Sequence, residues 1–243
     1  MSKLRAFLFI DPLITFTTAI IGTLSILASY FDHSGNLSHR IARVWARLLL
    51  IESGIRVHAE GLEKISPGGS YVVASNHLSL MDTPLLMAYL PLQFRFLAKK
   101  GLFKVPFIGG HLSRAGHIPI PRDDARASLK AMSVAARMLK EHGVSAVVFP
   151  EGGRSATGEL TEFKEGAAYI AIKAGVPVVP VAIDGTREIL PMNSVMVTPG
   201  RVKLRIGDPI PTEGLTLHDR DRLTGRIREE ICRLRGQTAP VAS

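Results

Sequence analysis

Two rhythms of apolar and polar positions divide this chain near Gly54. Beyond that residue, short runs rich in β-branched and apolar side chains, bounded by Gly, Pro or Asn, alternate with longer stretches in which apolar residues recur every three or four positions. The runs predict strands over Ile55–Ala59, Tyr71–Ser75, Phe94–Ala98, His117–Ile120, Ser145–Phe149, Val178–Ile183 and Val202–Ile206. The stretches between them predict helices over Thr83–Leu90, Pro106–Arg114, Asp123–His142, Phe163–Ala174 and Leu217–Arg235. Strands that alternate with helices favour an α/β fold, a mostly parallel sheet flanked by helices. In such sheets reactive loops gather where strands end and helices begin.

Before Gly54 the pattern is different. No charged residue occurs over the twenty positions from Pro12 to Phe31, a length that as a helix spans a bilayer core of about 30 Å. Thr15, Thr17, Thr18, Thr23, Ser25, Ser29 and Gly22 dilute its hydrophobicity, so a half-immersed or hairpin helix fits as well as a spanning one. Lys3 and Arg5 precede the run, but no A-x-A cleavage site follows it, and a retained segment is expected. Between Leu37 and Glu52, Arg40, Arg43 and Arg47 recur at helical spacing opposite Trp45 and several aliphatics. That pattern suits a helix at an anionic lipid surface, and a helix packed on the body reads similarly. The expected organisation is N-terminal membrane-associating helices over 1–54, a catalytic domain over 55–236 and a flexible tail over 237–243. The Lys and Arg residues that flank the apolar run orient the catalytic domain toward the cytoplasmic face.

Thirty Lys and Arg against twenty-one Asp and Glu leave a formal charge of +9, which calls for an anionic partner. The basic residues are scattered and no zinc-knuckle or aromatic RNA-binding signature is present, so nucleic acid is not expected. A single cysteine, Cys232, excludes an internal disulfide and a cysteine metal cage.

Chemistry concentrates at Asn76-His77-Leu78-Ser79-Leu80-Met81-Asp82, between a predicted strand and a predicted helix. A His and an Asp five positions apart at such a turn can fold back on each other, which fixes the imidazole tautomer and frees one nitrogen to take a proton. A loop histidine beside a helix-capping aspartate is the plainer alternative. Ser79 lies on no nucleophile elbow of the G-x-S-x-G type and is expected to be a loop residue. Two further loops fall on the same rim: Pro121-Arg122, and Pro150-Glu151-Gly152-Gly153-Arg154-Ser155.

His77-x4-Asp82, Gly116-His117-Ile118-Pro119-Ile120-Pro121-Arg122, Phe149-Pro150-Glu151-Gly152-Gly153-Arg154-Ser155 and Val176-Pro177-Val178-Val179-Pro180-Val181-Ala182-Ile183 resemble the four ordered blocks of the glycerolipid acyltransferases. The likeness covers roughly residues 55 to 210, and four blocks in order are far more specific than one. Ala98-Lys99-Lys100 through Pro106, and Phe163-Lys164-x-Gly166, are similar to the same family.

The resemblance implies transfer of an acyl group from acyl-CoA or an acyl carrier protein to the hydroxyl of a lysophospholipid, with those donors as co-substrates and no metal or redox cofactor. It implies His77 as general base and Asp82 as its orienting acid, with Arg122, Glu151, Gly152, Arg154, Lys100 and Lys164 at the substrate. A thioester is already activated, so the enzyme need only deprotonate the alcohol as it attacks. Guanidinium groups suit the acceptor phosphate, and the N–H groups of Glu151, Gly152 and Gly153 suit the thioester oxygen. The leading expectation is acylation of the sn-2 hydroxyl of lysophosphatidate to phosphatidate at a phospholipid membrane. A lyso-ornithine lipid, glycerol 3-phosphate or another lysophospholipid is the alternative acceptor, and a non-catalytic lipid-binding protein is the alternative class. Gly153 stands where the family usually has Thr, and Pro119 where an aromatic is frequent, which bears on the acceptor.

Overall fold

A computed structural model describes residues 9–121 and 123–237. Two helices, α1 (Asp11–Ala28) and α2 (Asn36–Glu52), precede β1 (Ile55–Glu60) and β2 (Val72–Ser75). There follow α3 (Asp82–Tyr89), β3 (Phe94–Lys99), α4 (Ile108–Arg114), β4 (Ile118–Ile120), α5 (Ala125–His142), β5 (Ser145–Val148), α6 (Gly166–Ala174), β6 (Val178–Asp184), α7 (Thr186–Ile189), β7 (Gly200–Ile206) and α8 (Arg220–Arg235). The seven strands form one sheet in the order β1-β7-β6-β2-β5-β3-β4. Every neighbouring pair is parallel except β6 with β7.

The parallel centre explains why its strands read as unbroken apolar runs. Both faces of β2, β5 and β6 are covered, whereas edge strand β1 alternates half-buried with exposed residues. Val73, Val147, Val179 and Val181 point into one core with Leu85, Leu86 and Phe94, which α2 closes through Ala42, Ala46, Leu49 and Leu50. Val72, Ala74, Ala146 and Val148 point to the other face, against Ala135 and Leu139 of α5, Ile170 of α6, and Leu223 and Ile227 of α8. The helical hairpin α1–α2 therefore lies on the opposite side of the sheet from α5, α6 and α8.

Helix α1 meets the protein largely through hydroxyl residues and carries most of its large apolar residues outward. Thr17 donates its hydroxyl to Glu52 Oε1 at 2.7 Å, and Trp45 Nε1 donates to Thr18 Oγ1 at 3.0 Å. Leu13, Phe16, Ile20, Leu24 and Leu27, spaced by three or four, form an exposed stripe. Thr17, Thr18, Ser25 and Ser29 thus form its packing face, whereas Thr15 and Thr23 are exposed and return their hydroxyls to the carbonyls of Asp11 and Ala19. Helix α1 is long and apolar enough by composition to cross a membrane, with 11% of its 18 residues buried.

Only Arg40 and Arg47 of the predicted arginine flank on α2 face outward. Arg43 turns in and donates to Leu90 O at 2.8 Å and Leu92 O at 2.7 Å, because the carbonyls after α3 need donors in an apolar setting. Nearly buried Arg95 of β3 donates to Ser34 O at 2.8 Å and Phe94 O at 3.0 Å, and burial brings its pKa down to about 10. Around these cations sit three histidines kept neutral. Burial, with Arg95 and Arg43 adding to it, pushes His39 down to about 3. Burial and then Arg95 push His111 down to about 4, and burial holds His117 well below its ordinary value. Phe96 N donates to His117 Nδ1 at 2.8 Å, which assigns the proton of that ring to Nε2.

Candidate active site

Central strands β6, β2 and β5 are neighbours, and their carboxyl ends deliver the loops that carry the predicted chemistry. Asn76, fully buried, exchanges two hydrogen bonds with the backbone of Ile183, Nδ2 to O and N to Oδ1, each at 2.8 Å. This extra rung pins the start of the loop after β2 onto β6. His77 then leaves the sheet with its ring stacked on Phe149, centroids 4.0 Å apart and planes inclined by 16°.

His77 Nδ1 lies 2.8 Å from Asp82 Oδ2. A carboxylate only accepts, so Nδ1 carries the proton and Nε2 presents its lone pair. Asp82 has no exposed surface, and a buried carboxylate without partners costs several kcal/mol. It is satisfied by four donors: His77 Nδ1, Leu78 N at 2.7 Å and Ser79 N at 2.9 Å on Oδ2, and Thr186 Oγ1 at 2.5 Å on Oδ1. Asp82 is the first residue of α3, and Met81 occupies the cap position. Its carboxylate bonds the loop before the helix and leaves the helix's own N–H groups alone, so the capping alternative is not what the structure adopts. Ser79 is buried with its hydroxyl committed to Leu190 O at 2.8 Å.

The loop after β5 is locked to the loop after β2. Glu151 Oε1 accepts from His77 N at 2.7 Å, and Oε2 accepts from Thr161 N at 3.0 Å and Thr161 Oγ1 at 2.9 Å. Ser155 N donates to His77 O at 2.8 Å. Sequence reasoning places Glu151 among the substrate-binding residues; in the structure both of its oxygens accept from the protein, Oε1 from His77 N and Oε2 from Thr161. Gly152 adopts φ of +71°, and its N–H closes a turn onto Phe149 O at 3.0 Å. That bond occupies one of the three N–H groups expected for the thioester oxygen.

Beside Phe149 opens a cavity of about 350 Å³. Leu97, Ile120 and Met132 give it apolar walls, and Lys99, Lys164 and Arg220 add positive charge. Lys164 is beside Gly152, where any side chain would crowd the amine. Lys100 stands exposed on the turn after β3, and it is its neighbour Lys99 that lines the cavity. Arg154 is half-buried on the loop that follows Gly153. Arg122 lies outside the described residues.

Sequence reasoning misses Lys99, Arg220 and, above all, Thr186. Thr186 approaches Asp82 across 104 positions of sequence, at the turn where Gly185, with φ of +94°, lets the chain leave β6. A side chain at Gly185 would collide with the carbonyl of Arg201. Glycine followed by a hydroxyl residue at a strand end was the available signal.

An acyltransferase family model matches residues 56–184. The chain is 37% identical over 174 residues to the chloroplastic 1-acyl-sn-glycerol-3-phosphate acyltransferase LPAT1 of Arabidopsis thaliana, covering 71% of this chain and 48% of that protein. It is 35% identical over 178 residues to 1-acyl-sn-glycerol-3-phosphate acyltransferase alpha of Homo sapiens, covering 73% and 63%. The matched region thus spans between about half and two thirds of the length of these relatives. The crystal structure of the 1-acyl-sn-glycerophosphate acyltransferase PlsC of Thermotoga maritima is similar over 99% of this chain and 100% of that one, with a TM-score of 0.81 and 26% identity.

Proposed function

The chain belongs to the acyltransferase family, and from that premise we propose that it transfers an acyl group from a thioester to the sn-2 hydroxyl of 1-acyl-sn-glycerol 3-phosphate, giving phosphatidate. The observation that carries this reading is the contact of His77 Nδ1 with buried Asp82 at 2.8 Å, which orients the ring and leaves Nε2 as the base. Nε2 takes the proton of the sn-2 hydroxyl while that oxygen bonds to the thioester carbonyl carbon. The tetrahedral adduct collapses by breaking its C–S bond, and the imidazolium returns the proton to the departing thiolate. Asp82 stabilises the imidazolium in between without accepting the proton itself. A positioned base of this kind supplies on the order of 10²–10⁴ in rate.

The acceptor phosphate falls to Arg154 and Lys164, with Arg122 and Lys100 completing the set, and the thioester oxygen to the N–H of Gly153. The activated thioester makes a metal or redox cofactor unnecessary. The exposed apolar stripe of α1 supports docking on a phospholipid surface, with α1 immersed along its outer face and the catalytic body on the cytoplasmic side.

The test is thiol release by the purified chain from an acyl-CoA in the presence of lysophosphatidate, glycerol 3-phosphate or a lyso-ornithine lipid. Release that depends on lysophosphatidate supports the reading. Release with another acceptor alone reassigns the substrate, and none with any acceptor leaves a lipid-binding protein.

A further inference from the structure

We propose that the outer face of α5, together with Lys173 of α6, docks an acidic helix of a carrier protein that brings the acyl chain as a phosphopantetheine thioester. The proposal rests on the acyl-transfer reading and names its donor. Lys130, Arg137 and Lys140 stand exposed at positions that share one side of α5. With Lys173 they line a groove of about 490 Å³ that, among the described residues, no acidic side chain lines. The three cations of α5 extend over ten residues, about 15 Å of helix. A nucleotide phosphate cluster does not need so long a row of charge, whereas a partner helix bearing carboxylates at the same spacing matches it.

Two features tie this groove to the acyl-transfer site and set it apart from the membrane. Tyr169 is the shared wall: it lines the cavity beside Phe149, and its hydroxyl meets Ser133 Oγ at 2.8 Å and Lys173 Nζ at 3.0 Å, both in the groove. Ser128 and Met132, one and two turns into the same helix, line that cavity too. A flexible arm that leaves a protein seated on α5 thus has a half-apolar passage toward Phe149 and the His77 ring stacked on it. The groove also lies on the α5–α6 side of the sheet, opposite the apolar stripe of α1. A lipid surface that receives α1 cannot at the same time cover α5, so the groove faces water and a soluble partner.

The experiment compares palmitoyl-acyl carrier protein with palmitoyl-CoA as donors to lysophosphatidate, using the full chain and its variant K130E/R137E/K140E. It is paired with calorimetric binding of the acyl carrier protein alone. The expected result is a loss of about thirtyfold or more in kcat/KM for the carrier-linked donor, a change within twofold for palmitoyl-CoA, and loss of carrier binding. The steep salt dependence of the carrier reaction should disappear with the charges. Equal losses with both donors, unchanged use of the carrier, or a wild-type chain that neither binds nor uses it would each overturn the proposal. Palmitoyl-CoA turnover reports separately on the acyl-transfer reading, and carrier binding is read even where turnover is absent. Loss of vesicle binding in the variant would assign the cationic groove to the membrane instead and overturn the proposal. A K130A/R137A/K140A variant, expected to be intermediate for the carrier donor, guards against misfolding of the charge reversal.

Discussion

The backbone N–H of His77 donates to Glu151 Oε1 at 2.7 Å, so the acid of one block fixes the main chain of the base in another. The other oxygen of Glu151 holds Thr161 twice, and a carboxylate with acceptors at both ends suits three donors better than any neutral side chain.

Glu151→Gln must turn its amide N–H₂ either toward His77 N–H or toward Thr161 N–H. Opposed donors in a buried site cost roughly 1–3 kcal/mol. We expect kcat to fall by about ten- to a hundredfold with the KM for lysophosphatidate nearly unchanged, read from steady-state thiol release. A raised KM with kcat intact would return Glu151 to the acceptor-binding set.

Thr186→Val removes the donor on Asp82 Oδ1 while keeping the shape of the side chain. Both residues are buried, so stability should drop by about 1.5–3 kcal/mol in urea unfolding, the range for a hydrogen bond to a charged group. Turnover should fall roughly tenfold as Asp82 loses its alignment, about 1.4 kcal/mol in barrier. Full activity in the valine variant would show that Oδ1 plays no part in orienting the base.

The fold was legible in the chain wherever the determinants are local. All seven strands lie within about two residues of their expected ends, because β-branched runs between Gly, Pro and Asn leave little freedom. Helix α6 starts at Gly166 and not Phe163: the Phe163 side chain is committed to the core, and Lys164 N bonds Pro150 O at 2.9 Å. The pairing of His77 with Asp82 was readable because only four residues separate them. Thr186 was not, since its approach depends on the parallel pairing of β2 with β6, a relation between distant segments. Lys99 ends β3 on the same face as Leu97 and so reaches the cavity, whereas Lys100 already lies on the turn that follows. Arg43 turns inward for carbonyls after α3, which helical spacing on α2 cannot reveal.

Neutral histidines make stability depend on pH between 7.5 and 5.5. The folded pKa of His39 is about 3 and that of His111 about 4, both below the value of about 6.5 of an unfolded histidine. The unfolded chain therefore binds more protons below that pH, and stability falls as pH falls, continuing down to the folded values. At pH 5.5 each such group costs about 1.4 kcal/mol. Urea midpoints at pH 7.5 and 5.5 should show this decline, and His39→Asn should remove about 1.4 kcal/mol of it, an average of about half a proton over the two pH units. A flat profile would mean that these rings titrate in the folded protein as they do in the unfolded chain.

Phe16 and Leu24 are 64% and 51% exposed on the outer face of α1, where neither packs into the core. Phe16→Glu with Leu24→Glu should leave the unfolding midpoint nearly unchanged and weaken co-sedimentation with phospholipid vesicles. About 1.5–3 kcal/mol is expected for each apolar side chain withdrawn from the lipid. Undiminished vesicle binding would move the anchor elsewhere on the protein.

The most direct test of the account is the lysophosphatidate-dependent rate of thiol release from an acyl thioester by His77→Ala beside the unaltered chain, at matched thermal midpoints. Loss of the base should lower kcat by about two or more orders of magnitude. A rate within tenfold of the unaltered chain would contradict the assignment of His77 Nε2 as the group that takes the hydroxyl proton.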